Sequence, residues 1–357
     1  MTSRPTALAL LLAFAAILGG CGDPDGDRYP GGREVVLLAG APAPAGALAV
    51  THGGVGSPAT WTEDVQAAAD AALAETRAAD DALAGALMGT VILEDNPLLN
   101  AGTGANIRLD GLTIQMDAAL MTSAGDFAAV AVIEHVRNPI LVARAVLDTP
   151  HRLLAGDGAT RFAHVMGFDD VTPVCEQAGA KYRQRIARLL RGEAGGGYDT
   201  FDWQRAWNFP GPPPSLPADG ADPADELIPD PTGTTDTVGT VTRAAGGGFA
   251  VTLSTGGTSI TLDGRVGDVP IYGCGCYAGP AGAVACTGHG EEIIRAAMAR
   301  TVYGWMEDGL TARQAVERGV ANFPEDWSLG LIAVGRDGWG VAATEEMAHG
   351  AAGSSSN

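Results

Sequence analysis

The sequence predicts an α/β fold in which a Gly- and Pro-rich segment interrupts one domain near its middle. Two observations support this prediction. Short apolar runs typical of strands alternate with helical patterns both in residues 35–191 and in residues 237–357. The stretch between them, 192–236, is poor in aliphatic residues, so it has little apolar surface to offset the entropy lost on ordering.

Composition restricts the functions open to the chain. Of its 357 residues, 46% are hydrophobic and 18% are charged, which is enough apolar material for a large core. The formal net charge is −20, because 42 Asp and Glu residues outnumber 22 Lys and Arg residues. Because nucleic acids are bound chiefly through basic clusters that neutralise phosphates, this composition argues against a nucleic-acid partner.

The first 34 residues are predicted to be a targeting segment and a tether. Arg4 precedes an apolar run, Ala7–Leu18, that is too short for a membrane-spanning helix. The run ends in Leu-Gly-Gly-Cys21, which resembles a bacterial lipobox. This pattern predicts a signal peptide at 1–20, lipidation of Cys21 and a flexible tether at 21–34. The expected location is the periplasmic face of a bacterial cell envelope, or the periplasm if the signal peptide is an ordinary one.

Residues 35–191 contain the patterns of several strands and helices. Short apolar or alternating runs predict strands, and apolar residues at helical spacing predict helices. The expected elements are a strand at Ala47–Thr51, a helix at Trp61–Met88, strands at Leu112–Met116 and Phe127–Ile133, and a helix from Pro139 to Leu147. Proline suits the first turn of the last helix, because its missing N–H would have no intrahelical partner there.

The segment 192–236 is predicted to be a flexible linker. It contains three consecutive Gly and three consecutive Pro residues, and it is long for a loop in a compact domain. Trp203 and Trp207 are exceptions, since either indole could hold part of the segment in place. The linker ends at Asp236-Thr237, where strand-like patterns resume.

Residues 237–357 begin with a predicted hairpin. Two strand patterns, 237–242 and 248–254, flank a turn at Ala244–Gly247. The further expected elements are a strand at Val284–Cys286, a helix at Glu291–Met306, and a hairpin of strands at Leu331–Val334 and Trp339–Ala343.

Thr237, directly after the linker, has the chemistry of a nucleophile that chain cleavage activates. A threonine hydroxyl attacks poorly until a base accepts its proton, and the residue's own α-amine can be that base. Such an amine has a pKa of about 7.7–8.0, so a useful share is neutral near pH 7. The amine exists only if threonine is the first residue of a chain. The interpretation therefore requires cleavage of the Asp236–Thr237 bond.

Three motifs after Thr237 supply the other groups that such chemistry needs. Ser254-Thr255-Gly256-Gly257 places hydroxyls and bare backbone at a strand end. Arg265 and Asp268 suit the α-carboxylate and α-amine of an amino-acid-like substrate, although they could equally form a surface ion pair. Thr287-Gly288-His289-Gly290 lies at a strand-to-helix junction, where unpaired N–H groups can stabilise an oxyanion.

Taken in order, the motifs resemble those of the plant-type L-asparaginase/isoaspartyl peptidase family of N-terminal-nucleophile hydrolases, which are relatives of the glycosylasparaginases. The resemblance covers nearly all of residues 35–343 apart from the linker. The motifs that carry it are His52-Gly53-Gly54, Leu93-Glu94-Asp95-Asn96-Pro97, Asn100–Gly104, Met116-Asp117-Ala118, Arg137-Asn138-Pro139, Asp236–Gly239, Ser254–Gly257, Gly264–Asp268 and Thr287–Glu291.

The resemblance implies a four-layer αββα sandwich and a precursor that cleaves its own Asp236–Thr237 bond. Thr237 would be the nucleophile in this cleavage and in catalysis. Thr255 would assist its activation. Thr287 and the Gly288 N–H would form the oxyanion hole.

The resemblance also implies the substrate. Arg265 would hold the α-carboxylate and Asp268 the α-amine, and backbone carbonyls of Gly288 or Gly290 would assist. Asn100 would organise the surroundings of the nucleophile. The implied reaction is hydrolysis of β-aspartyl (isoaspartyl) dipeptides and of L-asparagine, without a cofactor. The processed chains of this family usually assemble as dimers of αβ units.

One metal site follows from the same resemblance. The Leu93–Gly102 loop resembles the structural sodium loop of the family, which uses backbone carbonyls. The carbonyls of Leu93, Glu94 and Asn100 are the expected ligands, and no side-chain ligand is implied.

Other reactive side chains receive no chemical role from the sequence. We interpret His52 as a marker of the site, His289 as a wall residue, and Glu291 as a favourable charge in a helix first turn. The pairing of the remaining cysteines is left open, and their spacing with His289 fits no common zinc pattern. These cysteines are Cys175, Cys274, Cys276 and Cys286.

Two other functions stay open. A glycosylasparaginase would share the nucleophile and the Arg265/Asp268 pair, so the sequence favours the peptidase only weakly. An envelope lipoprotein that binds amino acids and never cleaves itself would belong to a different class. The complete set of nucleophile, clamp and oxyanion motifs argues against that second function.

Overall fold

The computed structural model describes residues 32–43, 45–194, 198, 200–215 and 237–353. The predicted signal peptide and the lipidation site Cys21 lie outside these residues, as does Asp236 of the predicted cleavage bond. Among the helices of the described part, none is long and apolar enough to cross a bilayer.

Strands and helices alternate through both halves of the described chain. The first half contains β1 (Leu37–Ala39), β2 (Leu48–His52), α1 (Thr62–Ala79), α2 (Ala82–Asp95), β3 (Met116–Thr122), β4 (Phe127–Ile133), α3 (Pro139–Val146), β5 (Leu153–Ala155), α4 (Gly156–Val165) and α5 (Glu176–Leu190). The second contains β6 (Val238–Arg243), β7 (Phe249–Thr255), β8 (Cys276–Gly279), β9 (Gly282–Gly288), α6 (Gly290–Ala296), α7 (Met298–Glu307), α8 (Ala312–Ala321), β10 (Leu329–Gly335), β11 (Trp339–Ala343) and β12 (His349–Gly353).

These strands form two sheets. The larger sheet has the order β12-β2-β6-β7-β3-β4-β5, and the smaller has the order β1-β11-β10-β9-β8. Neighbouring strands are antiparallel, except for β4 and β5. The strand that follows Thr237 directly, β6, therefore lies inside the larger sheet, between β2 and β7.

The two sheets pack face to face, and helices cover their outer faces. Val241 and Val251 of the larger sheet share one apolar core with Ala285 and Ile332 of the smaller sheet. Helices α1 to α4 pack on the other face of the larger sheet, and α7 and α8 pack on that of the smaller sheet. This four-layer αββα sandwich confirms the predicted fold class.

Buried hydroxyl groups join α2 to the outer face of β6 and β7. Thr90 Oγ1 of α2 lies 3.0 Å from Thr240 Oγ1 of β6 and 2.7 Å from Thr252 Oγ1 of β7. The Thr252 hydroxyl also bonds to the Ala86 carbonyl of α2 at 2.9 Å. All three threonines are fully buried, so an unpaired hydroxyl would be costly. The pairing fixes the register of helix and strands.

The helix expected over Trp61–Met88 is two helices, so its predicted length was wrong. Asp80 adopts a left-handed conformation with φ of 47°. The next residue, Asp81, accepts a hydrogen bond from the Leu83 N–H at 2.8 Å. This side chain caps a new helix N-terminus, which competes with continuation of the first helix.

The helix expected over Glu291–Met306 also breaks, here at Ala297, whose φ is 43°. The N–H groups of Ala299 and Arg300 in the first turn of α7 donate to the carbonyls of Cys274 and Gly273 at 3.0 and 2.9 Å. A loop distant in sequence thus satisfies the start of α7. No local pattern reveals such a cap.

The strand expected from Leu112 begins only at Met116. Asp110 Oδ1 accepts hydrogen bonds from the N–H groups of Leu112 and Thr113 at 3.0 and 2.9 Å, which folds these residues into a turn. Leu112 is consequently 82% exposed. The other strands expected from the sequence and the helix at Pro139 are confirmed to within two residues at each end.

Part of the predicted linker packs against the body of the protein. Asn208 and Asp263 exchange two hydrogen bonds, from Asn208 Nδ2 to the Asp263 carbonyl at 2.9 Å and from the Asp263 N–H to Asn208 Oδ1 at 3.2 Å. Trp203 and Phe209 are buried in one apolar cluster. The other buried members of this cluster are Leu109, Ile186, Leu189 and Ile260.

We expect Trp203→Ala to lower the free energy of unfolding by about 3–5 kcal/mol, because a buried indole leaves a large cavity. Urea unfolding measures this change, and limited proteolysis should reveal a new cleavage site within 200–215. Phe201→Ala is the control, since Phe201 is 43% exposed and its loss should cost far less. Equal, small effects of the two substitutions would contradict a packed segment.

Candidate active site

Thr237 lies at the start of β6 and faces the space between the sheets. Side chains alternate along a strand, so Thr237 points to the same side as Val241, which belongs to the core between the sheets. The Thr237 N–H donates to Thr287 Oγ1 at 3.4 Å, and Thr237 is only 4% exposed. The predicted nucleophile is therefore buried within reach of a second predicted site residue.

Thr287 and Gly288 come from β9 of the facing sheet. Thr287 Oγ1 also accepts a hydrogen bond from the Val55 N–H at 3.3 Å, so two N–H groups fix its position. Gly288 has a φ of 137°, and a Cβ there would lie 2.2 Å from the Ser328 carbonyl oxygen. Only glycine fits this close approach. The two predicted oxyanion residues thus meet Thr237 across the gap between the sheets.

Thr255 ends β7 beside Thr237. The last register pair of β6 and β7 joins Val238 to Ser254, which places Thr255 opposite Thr237 one residue further on. Thr255 Oγ1 accepts a hydrogen bond from the Gly257 N–H at 3.0 Å. This bond turns the chain sharply after the strand and holds the hydroxyl at the strand end.

Asn100 holds the turn that follows Thr255. Its Nδ2 donates to the Gly257 carbonyl at 2.8 Å, and its own carbonyl accepts from the Gly256 N–H at 2.9 Å. Asn106, which the sequence reasoning missed, donates to the same Gly257 carbonyl at 2.6 Å. Asn100 is 2% exposed, so its polar groups depend on these bonds. Asn100 therefore holds the loop next to Thr255.

Arg265 forms its ion pair with Glu291, not with Asp268. The distances are 3.1 Å from Nε to Oε1, 3.0 Å from Nη2 to Oε1 and 3.0 Å from Nη2 to Oε2. The alternative interpretation of Arg265 and Asp268 as a surface ion pair was therefore wrong, because α6 places Glu291, and not Asp268, against the guanidinium. The sequence assigned Glu291 no contact, although Glu291 is the last residue of the Thr287–Glu291 motif.

Asp268 is a buried carboxylate beside Arg265. It is 4% exposed, and its Oδ2 has no hydrogen-bond partner among the described residues. Burial raises its pKa to about 7, and the Arg265 guanidinium opposes that rise. A Cβ added to Gly290 would lie 2.9 Å from Arg265 Nη2 and 3.0 Å from Asp268 Oδ1. The two predicted substrate-binding groups therefore converge at the predicted carbonyl position Gly290.

Two buried charged residues, Arg108 and Asp117, contact the backbone of the loop that contains Arg265. Arg108 is fully buried, donates to the Arg265 carbonyl at 3.1 Å, and has its pKa lowered to about 10 by burial. Asp117 accepts from the Val132 N–H at 2.8 Å and from the Gly267 N–H at 3.5 Å. Burial raises the pKa of Asp117, and the Arg108 charge opposes this. The sequence reasoning gave Arg108 no place in the site.

Comparison with known proteins places this geometry in a family. A family model described as asparaginase matches residues 45–357. The chain belongs to the asparaginase family. The resemblance drawn from the motifs is confirmed, and with it the assignment of the chain as an enzyme of this family.

Several curated asparaginase-family proteins are similar to the chain. A plant-type L-asparaginase of Pyrococcus abyssi is 37% identical over 250 residues, which cover 68% of this chain and 73% of that protein. An isoaspartyl peptidase of Salmonella typhimurium is 39% identical over 267 residues, which cover 73% and 77% of the two chains. An isoaspartyl peptidase/L-asparaginase of Danio rerio is 32% identical over 301 residues, covering 82% and 86%.

Two histidines line the asparaginase-family site. His52 of β2 pairs in register with Gly239 of β6 and is fully buried, which lowers its pKa to about 3 and keeps the ring neutral. His289 stacks on Trp327 with ring centroids 3.9 Å apart and an interplanar angle of 18°. Burial also lowers the His289 pKa. Both positions suit wall residues.

Two backbone carbonyls approach Gly102 closely in the predicted sodium loop. A Cβ added to Gly102 would lie 2.5 Å from the Glu94 carbonyl oxygen and 2.8 Å from that of Arg137. The Glu94 side chain turns away, because its Oε1 accepts from the Ile140 N–H at 3.0 Å. Burial raises the pKa of this carboxyl to about 8, so it is mostly neutral at pH 7.

Three of the four cysteines in the described residues lie near Asp268. Cys274, Cys276 and Cys286 are buried and unpaired, and burial raises the pKa of each thiol, with the Asp268 charge adding to the effect. Cys175 is also a free thiol. Thiols with raised pKa values are poor nucleophiles, so Thr237 has no competitor among them.

Proposed function

We propose that the chain is an autoprocessed threonine hydrolase that cleaves β-aspartyl dipeptides and L-asparagine and releases aspartate. The observation that carries the proposal is the contact of the Thr237 N–H with Thr287 Oγ1, 3.4 Å long, at the start of a central strand. The names of the relatives, plant-type L-asparaginase and isoaspartyl peptidase, support the same reaction.

Processing would convert the Thr237 N–H into the catalytic base. Cleavage of the Asp236–Thr237 bond leaves an α-amine at the place where this peptide nitrogen now lies, beside Thr287 Oγ1. The amine is part of the same residue as the attacking hydroxyl, so the two are held together by covalent geometry. With a pKa of about 7.7–8.0, it can accept the hydroxyl proton near neutral pH.

The reaction then follows in two steps. Thr237 Oγ attacks the β-carbonyl carbon of the substrate, and its proton passes to the Thr237 amine. The oxygen of the tetrahedral intermediate accepts hydrogen bonds from the Thr287 hydroxyl and the Gly288 N–H. The amide C–N bond of the substrate then breaks, because the leaving amine of the substrate takes this proton from the Thr237 ammonium group. Water then hydrolyses the β-aspartyl ester of Thr237 and restores the hydroxyl.

Substrate orientation comes from the Arg265/Asp268 clamp. A guanidinium binds a carboxylate with two parallel hydrogen bonds, and a carboxylate accepts from an ammonium group. Both groups converge at Gly290, whose lack of a side chain leaves space beside them. A substrate bearing an α-carboxylate and an α-amine on one carbon satisfies both, which is the arrangement of L-asparagine and of β-aspartyl peptides.

Thr237→Ala should remain a single uncut chain and lose activity by more than about 10⁴-fold, because the nucleophile and its base disappear together. Thr122→Ala, at the far end of β3, is the control and should be cleaved and active. Denaturing electrophoresis with N-terminal sequencing measures cleavage. Assays with β-Asp-Leu, L-asparagine and a glycosylated asparagine measure activity and separate the peptidase from a glycosylasparaginase. A cleaved or active Thr237→Ala protein would refute the mechanism.

Binding of L-aspartate to the processed enzyme should weaken as pH falls through about 7, where burial places the Asp268 pKa. Above this pH the carboxylate is ionised and pairs with the ligand ammonium; below it, protonation removes that pairing. The inhibition constant between pH 5 and pH 9 measures the effect. Succinate, which lacks the α-amine, should not show this loss. An identical pH dependence of both ligands would contradict the role of Asp268.

We further propose that the Leu93–Gly102 loop binds sodium through carbonyls such as those of Leu93, Glu94 and Asn100. The neutral carbonyl cradle around Gly102 supports a monovalent cation, which would fix the loop that holds Asn100. The melting temperature should therefore be higher in sodium chloride than in choline chloride of equal ionic strength. Gly102→Ala, whose Cβ fills the cradle, should abolish this difference. Equal melting temperatures for the unaltered chain would refute the site.

The lipid anchor at Cys21, the envelope location and the dimer of αβ units stay predictions from the sequence. Residue 21 lies outside the described part of the chain. Mass spectrometry of the N-terminal peptide and light scattering of the processed protein would test the anchor and the dimer.

A further inference from the structure

The Arg265 guanidinium is held by only one of its two hydrogen-bonding edges. The side edge, made of Nε and one N–H of Nη2, contacts both oxygens of Glu291 at 3.0–3.1 Å. The end edge consists of Nη1 and the second N–H of Nη2. Nη1 makes no hydrogen bond within the described residues, although the Arg265 side chain is only 15% exposed.

The groups next to this end edge are those of the substrate clamp. A Cβ added to Gly290 would lie 2.9 Å from Nη2 and 3.0 Å from Asp268 Oδ1, and Asp268 Oδ2 also lacks a partner in the described chain. Buried donors and acceptors without partners are rare in native proteins. Asp268 Oδ2 is such a buried acceptor, and the neighbouring Arg265 Nη1 makes no hydrogen bond within the described residues, as an amino-acid ligand requires.

We propose that Glu291 is a positioning residue that holds Arg265 by its side edge and so presents the end edge to the α-carboxylate of the substrate. The role rests on the proposed function, because it assumes that Arg265 binds that carboxylate. A free arginine side chain has several rotatable bonds, and fixing it before binding removes an entropy cost that the substrate would otherwise bear.

Stability alone does not account for this ion pair. The Glu291 side chain is 54% exposed, and ion pairs at such positions contribute little to the free energy of unfolding. Burial by itself would raise the Glu291 pKa, but the Arg265 charge and hydrogen bonds outweigh it and hold that pKa below its ordinary value. Glu291 is therefore ionised at neutral pH and available as a fixed anionic partner.

A competing role for Glu291 would be to occupy Arg265 until substrate displaces it. The geometry disfavours this, because a carboxylate can bind the end edge while Glu291 keeps the side edge. The two roles predict opposite changes. Loss of a positioning residue raises KM, whereas loss of a competitor lowers it.

Glu291 also affects the protonation of Asp268, which gives a second measurement. Burial is the largest influence on the Asp268 carboxyl; its backbone N–H and the Arg265 charge favour the ionised form, and the charges of Glu291 and Asp117 oppose it. The thiols of Cys274, Cys276 and Cys286 also lie near, but their raised pKa values keep them neutral below pH 8. Removal of the Glu291 charge should therefore move the Asp268 titration to lower pH.

The test compares Glu291→Gln and Glu291→Ala with the unaltered enzyme, using β-Asp-Leu as substrate. Glu292→Gln is the matched control, since Glu292 is the next residue of α6 and pairs with Arg295 instead. We expect all three variants to be cleaved before Thr237. KM should rise about 10-fold or more in Glu291→Ala, as expected for loss of a charged hydrogen bond, with kcat changed far less. The KM of Glu291→Gln, which keeps an acceptor oxygen, should lie between those of the unaltered enzyme and Glu291→Ala.

Two further outcomes decide the role. The loss of L-aspartate binding at low pH should move to lower pH in Glu291→Gln but not in Glu292→Gln. An unchanged or lower KM in Glu291→Ala, or an unshifted pH profile in Glu291→Gln, would overturn the proposal. Inactivity of the unaltered enzyme would instead refute the proposed function. Calorimetric titration of L-aspartate would then still test Glu291, because weaker binding to Glu291→Ala is expected and equal binding would overturn the role.

Discussion

Packing of the two sheets against each other is the interaction on which the site depends. Thr237 belongs to one sheet and Thr287 to the other, and no hydrogen-bonded strand pair joins β6 to β9. Their separation is therefore set by the thickness of the apolar core, in which Val241 and Ala285 meet. Because protein cores are close-packed and resist compression, this thickness keeps the distance between Thr237 and Thr287 constant. The proposed nucleophile and the proposed oxyanion groups face each other only because that core is filled.

Burial of charge is the second feature that organises the site. Arg108, Asp117 and Asp268 are each almost completely buried, and an isolated buried charge is costly. Each is placed so that its neighbours reduce this cost: Arg108 near Asp117, and Asp268 near Arg265. Burial still raises the pKa of both carboxyls, that of Asp268 to about 7. A carboxyl group that is only partly ionised in the empty site gains most from a ligand that brings an ammonium group.

The sequence predicted the elements whose determinants are local. Strands such as β4 and β7 and the hairpin of β10 and β11 have continuous apolar or alternating runs, and the helix at Pro139 has a clear start signal. The motifs also identified the residues that gather at the site, including Asn100 and Arg265. These motifs are short and depend on backbone geometry within a few residues.

Features that depend on distant chain segments were not predictable in this way. The break at Ala297 follows from carbonyls of Gly273 and Cys274 that cap α7, and alanine itself carries no signal for it. The contact between Arg265 and Glu291 depends on how α6 is placed after β9. The packing of Trp203 needed partners from α5 and from the loop after β7, so composition alone favoured a flexible linker.

The hydroxyl contacts between α2 and the larger sheet have a consequence for a chain that is cut before Thr237. New chain ends normally fray, because the terminal residues of a strand lose neighbours on at least one side. In β6, strands flank both edges, and Thr240 is joined to Thr90 three residues from the cut. The proposed cleavage would therefore create an amino terminus with the rigidity of an internal strand, and a reacting group there would need no separate ordering step.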